Sequence, residues 1–247
     1  MKFVVTPNLP ENADAVIVSA DTPQEILSSL HSFGIDTIPA PRLNDTLNPV
    51  INHPDAGIVH INSEKFVCSP ETYSYYKNVF WGAGANLICG DTSINGKYPG
   101  DAAYNIAIVS NHTFLNTKNV DNVLFDHIKG NFINIKQGYA KCSICIVDEN
   151  SIITEDEGIT VAALANNINV LKISKGQVRL DGFEYGFIGG CSGKLAKNIL
   201  AFAGDVTKHT DYIRIRDFCL KKGVEVISLG KGVLTDIGSI LPIYEKE

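Results

Sequence analysis

The sequence predicts an α/β fold in which a strand-strand-helix-strand unit recurs five times. The clearest copy starts with an apolar run at 144–147, which a polar turn separates from a second run at 151–154. Two such runs joined by turn residues are typical of a β-hairpin. A helical segment at about 158–167 and a third strand at 169–173 complete this unit.

Similar apolar runs open five segments of the chain. They begin at Asp14, Asp55, Tyr104, Ser143 and Tyr185, and the closing runs lie at 36–39, 132–135, 170–173 and 224–227, with a looser match at 86–89. We therefore predict repeats at roughly 13–54, 55–103, 104–142, 143–184 and 185–236 within a single domain, 1–247. The alternative is an ordinary α/β sheet whose alternation only looks periodic.

Helical patterns precede most of the closing runs. Apolar residues recur with the three-and-four spacing of an amphipathic helix at 26–33 and again at 195–202. The run at 2–6 has no partner within the first repeat, and the last apolar run, 239–244, is its plausible neighbour. We therefore expect the two termini to meet and to complete a ring.

Charge and hydropathy exclude some classes of partner and location. The formal net charge is -6 and the chain contains no Lys/Arg cluster, which argues against nucleic acid as the main partner. The apolar runs are too short for a membrane span or a secretory signal, so a cytoplasmic protein is expected. The 6 cysteines are then expected to be reduced thiols.

The connection 40–55 contains three prolines and could deliver several polar groups to a site, among them Arg42 and Asn44. At its end, Pro54 fixes the backbone between His53 and Asp55, which suits a pre-positioned imidazole-carboxylate pair. The alternative is that both residues only cap the strand that follows.

Cys142 and Cys145 form a Cys-x-x-Cys pair, but no second pair or suitably spaced histidine accompanies it. In a strand, residues three apart also point to opposite faces, so we expect no zinc site here. Cys142 follows Lys141, whose ammonium group could favour the thiolate. Alternatively, Cys142 is a small buried apolar residue.

A glycine-rich turn at 187–194 precedes the predicted helix 195–203. It does not match a phosphate-binding loop, because Ile188 stands at the first glycine position and Leu195 at the Ser/Thr position. Backbone N–H groups around Gly190 could still hold an anion, and a helix start would lower the pKa of Cys191. The alternative is that the glycines serve only the geometry of the turn.

These features resemble the pentein, or guanidino-group-modifying, fold. The resemblance is carried by Gly138-Tyr-Ala-Lys-Cys-Ser143, by Ile152-Ile-Thr-Glu-Asp156, by the glycine-rich turn and by Asp236-Ile-Gly-Ser239. An uncharacterised bacterial branch of that fold, also with His-Pro-Asp near the second repeat, is most similar. The resemblance implies a five-bladed, pseudo-fivefold α/β propeller with a polar channel along its axis.

Pentein enzymes such as arginine deiminase, dimethylarginine hydrolase and amidinotransferase attack a guanidinium carbon with a cysteine near the C-terminus. A histidine from an earlier repeat assists, and carboxylates hold the cationic substrate. This sequence has Ser239 and no cysteine in 236–243, and it has Cys191 near the expected histidine position. The usual pair is therefore absent.

Two hypotheses follow from the resemblance. In the first, the protein binds a small cationic ligand, with or without divergent hydrolase or transferase chemistry, and needs no cofactor or metal. The candidate residues are His53 as base, Cys142 or Cys191 as a relocated nucleophile, and Arg42, Asn44, Asp55, Lys141, Asp156, Gly190, Asp236 and Ser239 as ligand-binding groups. In the second, the ring is a non-catalytic platform for a macromolecule, as in the family's ribosome anti-association factor. A homo-oligomer is compatible with either.

Overall fold

A computed structural model describes residues 2–43 and 49–246. Its strands are β1 (Lys2–Phe3), β2 (Ala13–Val18), β3 (Asp36–Pro39), β4 (Ile58–Asn62), β5 (Lys65–Cys68), β6 (Asn86–Cys89), β7 (Ala107–Val109), β8 (His112–Leu115), β9 (Asn131–Asn134), β10 (Cys145–Asp148), β11 (Ser151–Thr154), β12 (Asn169–Lys172), β13 (Ser192–Ala196), β14 (Ile199–Phe202), β15 (Glu225–Ser228) and β16 (Leu241–Glu245). The helices are α1 (Gln24–Ser32), α2 (Pro54–Gly57), α3 (Pro70–Val79), α4 (Val123–His127), α5 (Ala140–Ser143), α6 (Glu157–Ala165) and α7 (Tyr212–Leu220), with short 3-10 turns at Pro49–Asn52 and Val206–Lys208.

The strands form five small sheets with one repeated topology. In the sheets β4-β5-β6, β7-β8-β9, β10-β11-β12 and β13-β14-β15, the first two strands are antiparallel and the third is parallel to the second. One of the helices α3, α4, α6 and α7 links the second strand to the third in each case. The structure thus confirms the predicted strand-strand-helix-strand unit and the mixed α/β class.

The fifth sheet joins opposite ends of the sequence. Here β16 takes the place of the first strand: it is antiparallel to β2, which is parallel to β3. The short strand β1 pairs with the other edge of β16, with Phe3 opposite Tyr244. The rings of these two residues stack with centroids 4.8 Å apart.

The sheets are arranged with their first strands innermost. β16 and β7 are buried along their whole length, whereas the third strands β3, β6, β12 and β15 are exposed at both ends. β13 contacts both β10 and β16, so first strands of successive sheets are neighbours. The result is a five-bladed propeller, and the segments that lead into the first strands meet near its axis.

The helices pack against the sheets through one face. Helix α1 buries Ile26 and Leu30, and α7 buries Ile215 and Cys219, in both cases four residues apart and therefore on the same side of the helix. The longest helix in the described part of the chain, α3, has 10 residues, and none there is long and apolar enough to cross a membrane.

The predicted helix 195–203 is wrong. This stretch contains β13 and β14, which form a hairpin in which Lys194 lies opposite Leu200. Leu200, Ala201 and Phe202 are all fully buried, so the second strand is an unbroken apolar run without alternation. Together with Leu195, the apolar residues of this run have the three-and-four spacing that is also typical of an amphipathic helix. The expected strand at 185–190 is also absent, because those residues form a loop and a turn.

Candidate functional site

Five buried segments meet where the chain enters the innermost strands. They are His53–Asp55 before β4, Asn105 before β7, Lys141–Cys142 before β10, Gly189–Gly190 before β13 and Asp236–Ser239 before β16. Backbone hydrogen bonds hold neighbouring segments together. The N–H of Gly190 donates to the carbonyl of Cys142 (2.8 Å), and the N–H of Ser239 donates to the carbonyl of Gly190 (2.7 Å).

A chain of side-chain hydrogen bonds crosses this junction. Lys141 Nζ donates to Ser239 Oγ at 3.0 Å, and Ser239 Oγ lies 2.7 Å from Oδ2 of Asp55. The thiol of Cys142 donates to the same Asp55 oxygen at 3.0 Å, and Asn105 Nδ2 donates to the Cys142 sulfur at 3.2 Å. Four of the five segments thereby contribute side chains to one network.

Asp236 is fixed by backbone donors beside this network. Its Oδ2 accepts from the N–H of Phe187 at 2.9 Å, and its Oδ1 accepts from the N–H of Gly238 at 3.0 Å. His53 Nδ1 lies 3.6 Å from Oδ1 of Asp236 and has no hydrogen-bond partner among the described residues. A Cβ atom added at Gly190 would overlap the Asp236 carboxylate. Glycine is therefore required there for close approach, and its N–H is occupied by the carbonyl of Cys142.

The glycine-rich turn does hold carboxylates, but they belong to the protein itself. Phe187 donates to Asp236, and the next N–H, that of Ile188, donates to Glu155 Oε1 at 3.2 Å. Burial raises the pKa of Glu155 to about 8, although this backbone hydrogen bond opposes the shift. Sequence reasoning missed Glu155 and named its neighbour Asp156 as a ligand-binding residue instead.

Burial dominates the electrostatics of the cluster. It raises the pKa of Asp236 to about 6, with the N–H groups of Phe187 and Gly238 opposing the shift. It also raises the pKa of Asp55 and lowers the pKa values of His53 and Lys141. Each charged form therefore depends on a partner inside the cluster.

The surroundings of both candidate nucleophiles favour the neutral thiol. Burial raises the pKa of Cys142 well above its ordinary value, and the carboxylates of Asp55 and Asp236 raise it further. The ammonium group of Lys141 donates its hydrogen bond to Ser239, whereas the Cys142 sulfur is hydrogen-bonded to Asp55 and Asn105. Burial also raises the pKa of Cys191, which lies on a turn leading into a strand and not at a helix start.

A cavity of about 220 Å³ opens above the cluster. His53, Cys142 and Asp236 contribute to its lining from the buried cluster. The rest of the lining consists of the aromatic residues Tyr139, Phe183, Tyr185 and Phe187, together with Val50, Leu180 and Glu184. We call this space the axial pocket. On the side of the inner strands, Asp55 and Lys141 border a separate space of only about 20 Å³.

Four predicted residues lie elsewhere or cannot be placed. Arg42 is exposed and forms a salt bridge with Asp21 at 2.6 Å. Asp156 caps helix α6 by accepting a hydrogen bond from the N–H of Ile159 at 2.8 Å. Asn44 lies outside the described residues. Cys191 is fully buried, packs in the apolar core and is not part of the pocket lining.

Sequence reasoning missed two contributors besides Glu155. Asn105 holds the backbone N–H of Lys141 at 2.7 Å through its Oδ1. Its position just before β7 matches that of the other site residues, so comparison of the repeats could have identified it. The aromatic wall around Phe183 and Phe187 carries no motif, and only the folded loop reveals its role.

The sequence matches a family model over residues 17–241, described as "Family of unknown function (DUF6873)". The chain belongs to this family. Among curated proteins, none matches the sequence.

Solved structures with the same fold include several guanidino-modifying enzymes. The inosamine-phosphate amidinotransferase of Streptomyces griseus has a TM-score of 0.62 at 11% identity, with 100% of this chain and 98% of that chain covered. DDAH from Pseudomonas aeruginosa, a mutant complexed with citrulline, has a TM-score of 0.57 at 10% identity, covering 94% and 100% of the two chains. Agmatine deiminase of C. jejuni has a TM-score of 0.57 at 10% identity, covering 100% and 97%. The chain therefore has the pentein fold, as the resemblance predicted.

Proposed function

We propose that this DUF6873 protein binds a small organic cation, a guanidine or an amine, in the axial pocket. The observation that carries the proposal is that buried carboxylates outnumber buried basic side chains below the aromatic residues of the pocket. Asp55 and Asp236 are both buried in the cluster, whereas Lys141 is the one lysine or arginine among the described residues of the cluster. A ligand cation above Asp236 would supply the missing positive charge.

The walls of the axial pocket support the same class of ligand. Tyr139 and Phe187 have ring centroids 6.3 Å apart, and Tyr185 meets Phe187 edge-on at 6.1 Å. Aromatic faces attract cations through their quadrupole, more strongly once water is excluded. Glu184 adds an exposed carboxylate at the pocket, suited to a second amino group of the ligand.

The size of the pocket favours a metabolite over a macromolecular segment. Its volume of about 220 Å³ is below the range of roughly 300–1,000 Å³ that is common for drug-sized ligands. Because the pocket is open and has polar groups at its base, a small ligand is favoured over the alternative of a non-catalytic binding platform. Related folds supply probes: one solved relative is complexed with citrulline, and agmatine deiminase of C. jejuni is known with substrate bound.

Cys142 gives the pocket a candidate reactive group. It lines the axial pocket, and its thiol already donates to Asp55, which could accept the proton. A bound cation next to the sulfur would favour the thiolate by direct Coulomb attraction. We therefore propose Cys142, rather than Cys191, as the nucleophile of any covalent step, with His53 as the neighbouring base.

Calorimetric titration with agmatine, arginine and citrulline tests the binding proposal. We expect agmatine and arginine to bind and the Glu184→Gln variant to bind them several-fold more weakly. Asp181→Asn, an exposed acid on the same loop that is not part of the pocket lining, is the matched control and should bind normally. Equal affinity for neutral ureas and for cations, or no effect of Glu184→Gln and Asp236→Asn together, would contradict the proposal.

A further inference from the structure

We propose that His53 Nδ1, Cys142 Sγ and Asp236 Oδ1 form a binding site for a thiophilic divalent cation, Zn²⁺, at the base of the axial pocket. Ligand atoms of these three buried residues all lie within 4.8 Å of one another. Imidazole, thiolate and carboxylate form a donor set that zinc accepts in proteins. This proposal does not rest on the binding of an organic cation.

The distances between the proposed ligand atoms are close to those between the ligands of a tetrahedral metal ion. With bonds of about 2.0 Å to nitrogen and oxygen and about 2.3 Å to sulfur, the nitrogen and oxygen ligands of zinc lie about 3.3 Å apart. His53 Nδ1 and Asp236 Oδ1 are 3.6 Å apart, so this pair needs little movement. The sulfur lies within 4.8 Å of a ring nitrogen of His53 and of a carboxylate oxygen of Asp236, so it would move inward by between about 1 and 1.5 Å at most.

His53 provides an independent indication of a missing partner. The side chain is buried, and its Nδ1 has no hydrogen-bond partner among the described residues. A buried polar atom without a partner is unfavourable, because it has lost its hydrogen bonds to water. Coordination of a metal ion would satisfy this nitrogen in its neutral form.

The surroundings already orient the proposed ligands. Backbone N–H groups of Phe187 and Gly238 hold the two oxygens of Asp236, and Asn105 donates to the Cys142 sulfur. Such outer hydrogen bonds fix the direction of ligands and favour their charged forms. Cys145 takes no part, because its side chain packs in the apolar core. The site is therefore not a Cys-x-x-Cys site.

The charges balance when the ion is bound. On binding, the Cys142 thiol releases its proton to solvent and forms a bond to the metal. The thiolate, Asp236 and Asp55 then carry three negative charges, which Lys141 and Zn²⁺ match. Because the protein supplies three ligands, the fourth position faces the axial pocket and takes a water molecule or a ligand atom. Zn²⁺ and an organic cation would compete for Asp236.

Cobalt substitution tests the site in the protein after treatment with a chelator. Titration with Co²⁺ should saturate at one ion per chain and produce a sulfur-to-cobalt charge-transfer band in the near ultraviolet. Cys142→Ser should lose this band and bind Co²⁺ at least tenfold more weakly, and His53→Gln should also bind it more weakly. The control variants Cys145→Ser and Cys89→Ser should match the wild type.

If Cys142→Ser fails to fold, X-ray absorption at the zinc edge of the zinc-loaded wild-type protein tests the proposal by identifying the atoms bound to the ion. One sulfur with nitrogen and oxygen neighbours is expected. Absence of stoichiometric binding, or a band that survives Cys142→Ser, would overturn the metal site. Agmatine binding is measured separately, on protein from which the chelator has removed metal. Metal binding without agmatine binding would refute only the proposed function. Agmatine binding without metal binding would refute only the metal site.

Discussion

Ser239 Oγ lies 2.7 Å from Asp55 Oδ2, although the two residues are 184 positions apart in the sequence. The same hydroxyl accepts a hydrogen bond from Lys141 Nζ and lies 3.0 Å from the carbonyl oxygen of Gly189. It therefore connects the segments before β4, β10, β13 and β16 around the axis. Where the resemblance to pentein enzymes implied a nucleophile, this chain has a structural bridge between an ammonium group and a carboxylate.

Ser239→Ala should lower the free energy of unfolding by about 1–3 kcal/mol, because it leaves buried partners of the hydroxyl unpaired. Urea unfolding followed by circular dichroism measures this. Ser151→Ala is the matched control: that serine is also fully buried, but its Oγ has no hydrogen-bond partner among the described residues. Equal losses in the two variants would contradict the bridging role of Ser239.

Gly190→Ala should destabilise the protein by about 1–3 kcal/mol, because the added Cβ would overlap the Asp236 carboxylate. Displacement of Asp236 should also weaken agmatine binding. Gly232→Ala serves as the control, since a Cβ there meets no described atom within 4 Å. Thermal unfolding of both variants, combined with calorimetry, separates the effect on packing from the effect on binding. Normal stability of Gly190→Ala would mean that Asp236 can move freely.

Glu155→Gln should change the pH dependence of stability. The pKa of Glu155 is raised from 4.5 to about 8 in the folded protein, so between these values the folded state binds more protons than the unfolded state. Stability from this group is therefore present below pH 4.5 and is lost as the pH rises towards 8. The free energy of unfolding of the variant should exceed that of the wild type by up to about 4 kcal/mol at pH 8, and this gain should disappear near pH 4.5. Urea unfolding across this range gives the comparison, and parallel pH profiles would refute it.

Cys142 should be alkylated slowly by iodoacetamide near pH 6 in metal-free protein, because its side chain is only 2% exposed and its thiol donates to Asp55. Cys89 is exposed and should react faster than Cys142, although partial burial and the nearby Asp91 raise the pKa of its thiol. Peptide mass spectrometry reads both rates in one sample. Faster reaction of Cys142 than in the unfolded control would show an activated thiolate that the hydrogen bonds do not predict.

Local sequence patterns predicted the fold well for strands and helices that bury only one face, because their apolar and polar residues alternate with a recognisable period. The turn after Asp148 and the runs beside it specify the β10-β11 hairpin, and the Asp148 side chain accepts from the N–H of Asn150 at 2.8 Å. The pattern failed at Leu195 and Leu200, because a strand buried on both faces has no alternation that could distinguish it from a helix.

The site was predictable only in part, for a similar reason. His53 and Asp236 could be proposed because each stands just before a predicted strand, and Cys142 because it follows Lys141 in the sequence. Asp156 occupied a helix start, where capping satisfies it, whereas Glu155 beside it reaches the glycine-rich turn. Which of two adjacent carboxylates points inward depends on the course of the loop, and the local sequence does not specify that.

The pairing of β16 with β2 also has a kinetic consequence. Paired residues of these strands, such as Ile17 and Leu241, lie far apart in the sequence, so their contact requires closing a very long loop, which is slow and entropically unfavourable. Asp236 and Ser239 directly precede β16 and are positioned only when that strand docks. A partly folded molecule in which only four sheets have formed would therefore lack a complete pocket. The ability to bind a ligand should appear in the same folding step in which β16 pairs with β2. Pulsed hydrogen exchange at the amides of β16 would time that step.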